Sequence, residues 1–191
     1  VAIHAGAPCS VELKREMISW WGPILHEYYS GTESIGFTHI TSEEWLKKVG
    51  SVGRPSGCDI HILNDEAEPL PAGQRGKVFF SGREAVSYHN DEKKTAAARS
   101  PQGYSTMGDL GYLDDDGYLF LTDREAFTII SGGVNVYPRE VEEAISTDSR
   151  VAEAAVFGSP DNDLGEVVTA VVELQRDCEP TLEIAKTIRE R

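Results

Sequence analysis

Two short segments carry residue types suited to a phosphorylated ligand. In residues 28–33, YYSGTE, a serine, a glycine and a threonine stand beside a glutamate. Such a loop offers backbone N–H groups and hydroxyls to phosphate oxygens, and the Glu33 carboxylate is a hard oxygen ligand that suits magnesium. In residues 104–109, YSTMGD, Asp109 follows Gly108 at the entrance to a strand-like run. Its two oxygens could accept both hydroxyls of a ribose. Arg124 could aim its rigid fork at the same sugar or at a phosphate. Taken singly, each has a plainer reading: a polar turn with a solvated glutamate, an exposed aspartate opening a strand, an arginine in a surface ion pair.

A third segment, residues 121–145, LTDREAFTIISGGVNVYPREVEEAI, sets Gly132-Gly133 and Asn135 between an apolar run and a helix start. The double glycine permits backbone conformations that a side chain forbids. Pro138 fits a first helical turn, Glu140 and Glu142 favour its positive end, and Val141, Ala144 and Ile145 give it an apolar face.

These residues need elements to hold them. Ser10 as N-cap and Glu12 in the first turn begin a helix in which Leu13, Met17 and Trp20 or Trp21 recur at helical spacing, and Gly22-Pro23 ends it. Residues 24–28 read as a short strand that runs into the Ser-Gly-Thr loop, the place where α/β proteins put ligand contacts. From Gly50 to Gly82, VGRP, CDIHIL, PLPAGQRG and KVFFSG are β-like runs divided by Gly and Pro, which predicts a small antiparallel sheet or barrel. Residues 91–99 read as a helix, and two strands flank the turn at residues 114–117. After Thr128 come a short apolar run, a helix from Pro138, the strand VAEAAVFG, the loop SPDNDLGE, the strand VVTAVVEL and a helix near Pro180. The fold class is therefore mixed α+β: helix and strand over residues 1–49, a β-rich, barrel-like part over 50–123, and a small α+β unit over 128–191.

Composition bounds the partners. Across 191 residues, 32 acidic side chains against 18 basic ones give a net charge near −14, which opposes nonspecific binding to nucleic acid or anionic membranes. No apolar run is long enough to span a bilayer. Cys9, Cys58 and Cys178 lack metal-ligand spacing and read as reduced thiols in a cytoplasmic protein. The five histidines are scattered, and Trp20, Trp21 and Trp45 read as packing residues.

Taken together and in this order, AGAP, YYSGTE, VGRP, YSTMGDLGYLDDDGYLFLTDR, ISGGVNVYPREVE and AAVFGSPDNDLGE resemble the later motifs of the acyl-CoA synthetases, members of the adenylate-forming (AMP-binding) superfamily. The resemblance implies an ATP-dependent acid-thiol ligase: a carboxylate attacks the α-phosphate of ATP to give an acyl adenylate, and the thiol of coenzyme A then displaces AMP. It implies that Tyr29 stacks on adenine, Thr32 touches the α-phosphate and Glu33 holds Mg2+, with Ser30 and Gly31 in the same loop. It also implies that Asp109 and Arg124 bind the ribose, and that Ala5, Gly6, Ala7 and Pro8 lie beside the adenine and the acyl chain. Gly132 and Gly133 would leave room for the pantetheine arm of coenzyme A, and Asn135 would face the acyl site. Residues 1–123 would belong to the large AMP-binding domain, in which 1–49 would be the end of an α/β layer; residues 124–127 would belong to a hinge and 128–191 to the small C-terminal domain. The implied partners are a carboxylic acid, fatty or aryl, with ATP and coenzyme A, in a protein able to form homo-oligomers and serving fatty acid metabolism.

The sequence departs from the family pattern at several points. Ser30 stands where glycine is usual, and Ala126 where the hinge usually carries Asp or Lys. The phosphate-gripping loop that ends in Lys and the C-terminal catalytic Lys are absent from the 191 residues, and Lys186 has the wrong context to replace the latter. The expectation is an internal fragment, inactive alone or a weak nucleotide binder, of an enzyme that serves either coenzyme A or a carrier protein.

Overall fold

Strand β1 (Ala2–His4), helix α1 (Val11–Trp21) and strand β2 (Leu25–Ser30) open the chain in a computed structural model that describes residues 1–85 and 87–190. Arg191, the last residue of the expected small domain, lies outside these. β1 and β2 are parallel, with Ala2 opposite Leu25 and His4 opposite Glu27. Parallel neighbours need a crossover, and α1 supplies it. As its sequence specifies, α1 starts where the Ser10 side chain accepts from Leu13 N–H at 3.2 Å. Strand β3 (Phe37–Ile40), the short helix α2 (Ser42–Trp45) and strand β4 (Arg54–Pro55) complete an open sheet in the order β1-β2-β3-β4.

The buried face of α1 differs from the expected one. Lys14 and Ile18 are buried, whereas Trp20 is 76% exposed and Leu13 52% exposed. Lys14 is 2% exposed because its ammonium pairs with Glu27 on β2 and sits 4.7 Å from the centroid of the buried Trp45 ring. A lysine that finds a carboxylate can bury its stem like an aliphatic residue. Of the three tryptophans, Trp45 is a core residue and Trp20 is not.

The β-rich part is a second open sheet. Strands β5 (Asp59–Leu63), β6 (Gly76–Ser81), β7 (Asp109–Leu113) and β8 (Leu119–Arg124) follow one another in that order, and β5 and β8 do not close into a barrel. The segment PLPAGQRG is a loop touching Leu63 through one isolated bridge at Pro69, since proline cannot donate to a ladder. Helix α3 (Glu92–Ala97) is capped by Asp91, whose carboxylate accepts from Lys94 N–H at 2.9 Å. Ile35, Ile62, Val78, Phe80 and Leu119 form one core cluster, and Ile18, Leu25, Ile40, Trp45 and Tyr118 form another.

The chain divides into two units, Val1–Thr122 and Asp123–Arg191. After a 3-10 turn at Glu125–Phe127, the second unit holds β9 (Ile129–Ser131), β10 (Val134–Val136), α4 (Pro138–Ser146), β11 (Val151–Asp161), β12 (Gly165–Leu174) and α5 (Leu182–Arg189). Its sheet order is β10-β9-β12-β11. Ile129, Ile145, Val151 and Val156 form its core. Strand β10 was not expected, and the expected loop SPDNDLGE shrinks to a tight hairpin. There, Asp161 Oδ1 accepts from the N–H groups of Asp163 and Leu164 at 2.9 Å each, which lets β11 run on to Asp161. All three cysteines are free. Among the described residues no helix is long and apolar enough to cross a membrane.

Candidate functional site

In the first unit the parallel pairing of β1 with β2 sends residues 5–8 and 31–34 out of the same end of one sheet. Loops leaving the carboxyl ends of parallel strands are the usual place for a ligand. Of the first group, Gly6, Ala7 and Pro8 are exposed and Ala5 half-buried, with Gly6 at a positive φ of 84°.

The second group forms a tight turn in which Ser34 N–H donates to Gly31 O at 3.0 Å. Ser34 itself adopts φ 56°, a conformation that serine holds only when its surroundings require it. A Cβ on Gly31 would lie 2.4 Å from Sδ of Met107 in the YSTMGD segment and 2.6 Å from Glu33 Oε2, so a larger residue there would push one or both of these flexible side chains aside. Ser30 spends its hydroxyl inside the protein, donating to Gly36 O at 2.7 Å. That serine closes the loop's base.

The same two segments meet through side chains. The Tyr29 hydroxyl donates to Asp109 Oδ2, and Asp109 is 6% exposed. Asp109 stands at the start of β7, next to Gly108, whose N–H donates to Thr106 Oγ1 at 3.0 Å while Thr106 donates to Val78 O at 2.7 Å. The turn before Asp109 is thereby tied to β6. The structure therefore brings Tyr29, Gly31 and Asp109 together.

Thr32 and Glu33 face a cavity of about 430 Å³ together with Ser34, Ala85, Ser87 and Tyr88. The Thr32 hydroxyl donates to Glu33 Oε2 at 3.3 Å, and the Tyr88 hydroxyl donates to Glu33 Oε1 at 3.0 Å. A bond from its own backbone N–H is the largest influence on Glu33 and holds its carboxyl below the ordinary value. Burial opposes this, while the two hydroxyls and the Lys94 ammonium reinforce it. An ionised carboxylate beside an open, polar cavity fits a hard cation such as Mg2+. Among the described residues no three His, Cys, Asp or Glu side chains converge, and a second carboxylate, Glu84, lines the same cavity as Glu33.

Tyr88 was not among the expected site residues. It follows a serine in a loop and has no helical or strand periodicity around it, and only the tertiary fold brings it to Glu33, 55 positions earlier.

In the second unit, Arg124 ends β8 and is exposed. Its neighbour Asp123 accepts from Arg124 N–H at 2.7 Å and from Arg139 N–H at 3.2 Å, so Asp123 supplies the N-terminal cap that Tyr137 does not give to α4. Gly132 and Gly133 have φ 58° and 80° and join β9 to β10 with Ser131 opposite Val134. Two consecutive positive φ angles are what a type I′ hairpin requires. Asn135 is exposed on β10, opposite Ile130.

Family models match most of the chain: that of the AMP-binding enzymes over residues 1–87, and that of the AMP-binding enzyme C-terminal domain over residues 140–191. Among curated relatives, the chain is 32% identical to a sulfoacetate–CoA ligase of Cupriavidus necator, across 88% of the chain and 36% of the relative. It is 34% identical to a long-chain-fatty-acid–CoA ligase of Bacillus subtilis (91% and 31%) and 36% identical to a 2-succinylbenzoate–CoA ligase of Bacillus velezensis (88% and 35%). The chain thus spans about a third of the length of these relatives. Among solved structures, o-succinylbenzoate CoA synthetase from Bacillus subtilis, in complex with the acyl-adenylate intermediate, superposes with a TM-score of 0.81 at 32% identity, covering 99% of this chain and 39% of that one. The amide bond synthetase McbA from Marinactinospora thermotolerans gives 0.81 at 32% identity, covering 97% and 38%. With motifs, fold and relatives in agreement, the chain belongs to the AMP-binding, adenylate-forming enzymes.

Proposed function

We propose that this chain forms the nucleotide side of an acid-thiol ligase that activates a carboxylic acid with ATP and passes the acyl group to coenzyme A. The observation that carries the reading is the convergence of Tyr29 and Asp109, beside Thr32 and Glu33, in a chain whose relatives are named CoA ligases. A carboxylate is a poor acyl donor until one oxygen becomes part of a good leaving group, so the first step joins the acid to AMP and releases pyrophosphate. The second joins the acyl group to sulfur and releases AMP. Both steps depend on positioning and charge neutralisation more than on covalent chemistry by the protein.

Asp109, buried and bonded by Tyr29, accepts the ribose hydroxyls in this reading, and the Tyr29 ring stacks on adenine. Thr32 touches the α-phosphate from the turn that the bond between Ser34 N–H and Gly31 O closes. Glu33 holds Mg2+, which when bound neutralises phosphate charge. Ala5, Gly6, Ala7 and Pro8, leaving the same sheet end, line the base and the acyl chain. In the second unit Arg124 serves the ribose, residues 124–127 act as a hinge, Gly132-Gly133 make room for the pantetheine arm, and Asn135 contacts the acyl site. The protein is cytoplasmic in this reading.

The acid in this reading is a fatty or aryl carboxylic acid; the relatives' names include a long-chain fatty acid and 2-succinylbenzoate, beside sulfoacetate, which is neither. ATP–pyrophosphate exchange in the full-length protein with a panel of such acids tests the reading, and no exchange with any of them would sink it. Glu33→Gln should lower exchange about a hundredfold, as loss of one positioned charge-stabilising group does. The structural kinship with an amide bond synthetase shows that this fold is not confined to coenzyme A ligases, and a second reading keeps the adenylation step but hands the acyl group to the pantetheine thiol of a carrier protein. Comparing coenzyme A with a pantetheinylated carrier as acceptor decides between them. For the 191 residues alone, which span about a third of the relatives, we expect no turnover; measurable thioester formation by this chain would overturn that.

A further inference from the structure

We infer that Tyr88 is a positioning residue for Glu33, holding one carboxylate oxygen so that the other is presented to a divalent cation; this rests on the proposed role of Glu33. The Tyr88 hydroxyl donates to Glu33 Oε1 at 3.0 Å. Oε2 accepts from Thr32 at 3.3 Å, long for an O–H···O bond, so its side-chain partner holds it more loosely than Tyr88 holds Oε1. Both side chains line the same cavity. A metal competes easily with the long bond and poorly with the normal one.

Tyr88 is itself fixed from three sides. Its N–H donates to Thr95 Oγ1 at 2.9 Å, its carbonyl accepts from Asp91 N–H at 3.3 Å, and the Lys94 ammonium lies 4.1 Å from its ring centroid. All three partners belong to α3 or its cap. The ring also packs against the core cluster around Phe80 and Ile35. A tyrosine anchored this firmly restricts the glutamate it bonds, and a carboxylate left on an exposed turn would lose rotamer freedom only when the metal arrives. The fold thus makes α3, which has no phosphate contact in the proposed reading, a support for the metal ligand.

The test uses the full-length protein containing this chain, with Mn2+ as probe. Its binding beside a nonhydrolysable ATP analogue is followed by the loss of the free Mn2+ EPR signal. Tyr88→Phe keeps the ring, the core packing and the Lys94 contact and removes only the hydroxyl. Partners that orient a metal ligand typically contribute tenfold to a hundredfold in affinity, so the Mn2+ dissociation constant should rise about tenfold, with metal-free analogue binding unchanged. In pyrophosphate exchange the half-saturating Mg2+ concentration should rise by a similar factor while the KM for the acid stays put. Thr95→Val, which releases the Tyr88 N–H, should shift Mn2+ binding in the same direction by less, and it serves if the phenylalanine variant folds poorly. Unaltered Mn2+ affinity in Tyr88→Phe would overturn the inference and leave the ligase reading intact. A raised dissociation constant in a protein that exchanges pyrophosphate with no acid would uphold it while the ligase reading fails.

Discussion

The Tyr29 hydroxyl donates a hydrogen bond to the Asp109 carboxylate, joining two motifs eighty positions apart. Asp109 is buried, so the bonds it accepts come from the fold and a bound ligand more than from bulk water. In full-length protein, Asp109→Asn should raise the KM for ATP at least about tenfold and leave the KM for the acid unchanged. A hydrogen bond to a charged group is worth about 1.5–3 kcal/mol, and about 1.4 kcal/mol is a factor of ten. Tyr29→Phe should move the same constant less. An acid KM that moves as far as the ATP KM would argue against a ribose role.

The two glycines of the β9–β10 hairpin are not equivalent. Both hold positive φ, where a side chain costs about 1–2 kcal/mol. At Gly132 a Cβ would also come within 3.2 Å of Leu164 Cδ2, whereas at Gly133 it would meet nothing within 4 Å. Urea unfolding should therefore show Gly132→Ala losing more stability than Gly133→Ala, with Gly133→Asn milder than Gly133→Ala because asparagine tolerates this region. Equal losses would mean that Leu164 gives way freely.

Much of this was legible in the sequence because local rules act locally. The Ser10 cap, the Pro138 helix start and the turn at Gly117 each depend on neighbours within a few positions, and the motif order carried the family. What escaped depends on distant partners. Lys14 looks like a solvent-facing residue until Glu27 and Trp45 are placed beside it, and so the spacing points to a face of Leu13, Met17 and Trp20 or Trp21, of which Met17 packs on the core while Leu13, Trp20 and Trp21 are exposed. Tyr88 reaches Glu33 only through the docking of α3, and Ser30 could not be seen to close its own loop onto Gly36. β10 is three residues long and follows the double glycine directly, too short for alternation to register.

Asp123 offers a separate test of the second unit. Its carboxylate accepts from the N–H of Arg139 in the first turn of α4, whose own N-cap residue contributes no side-chain bond. Replacing a capping carboxylate by alanine costs about 1 kcal/mol. Asp123→Ala should show that loss in thermal unfolding together with faster hydrogen exchange at the Arg139 amide, and Asp123→Asn should recover most of both. Unaltered exchange at Arg139 would remove Asp123 from the cap.

The β7–β8 turn should leave a signature in the pH dependence of stability. Lys48 Nζ lies 2.7 Å from Asp114 Oδ2 and 2.5 Å from Asp116 Oδ2. Burial alone would push the Asp114 carboxyl up, but the Lys48 ammonium and the N–H groups of Tyr118 and Asp116 outweigh it and hold it below its ordinary value. Bonds to Asp114 and Asp116 in turn hold the Lys48 ammonium above its ordinary value. A depressed carboxyl contributes stability that is present above its unfolded pKa, about 3.9, and is lost as pH falls through the lower folded value. A raised ammonium contributes stability that is present below its unfolded pKa, about 10.4, and is lost as pH rises through the higher folded value. The stability difference between the native chain and Lys48→Met should therefore be flat from about pH 5 to about pH 9 and shrink outside that range. Both partners are partly exposed, so the plateau should also fall with added salt. Unfolding midpoints of the two proteins that differ as much at pH 2.5 as at pH 7 would show that Lys48 acts through packing on Tyr118, whose ring centroid lies 5.3 Å from Lys48 Nζ, and not through its charge.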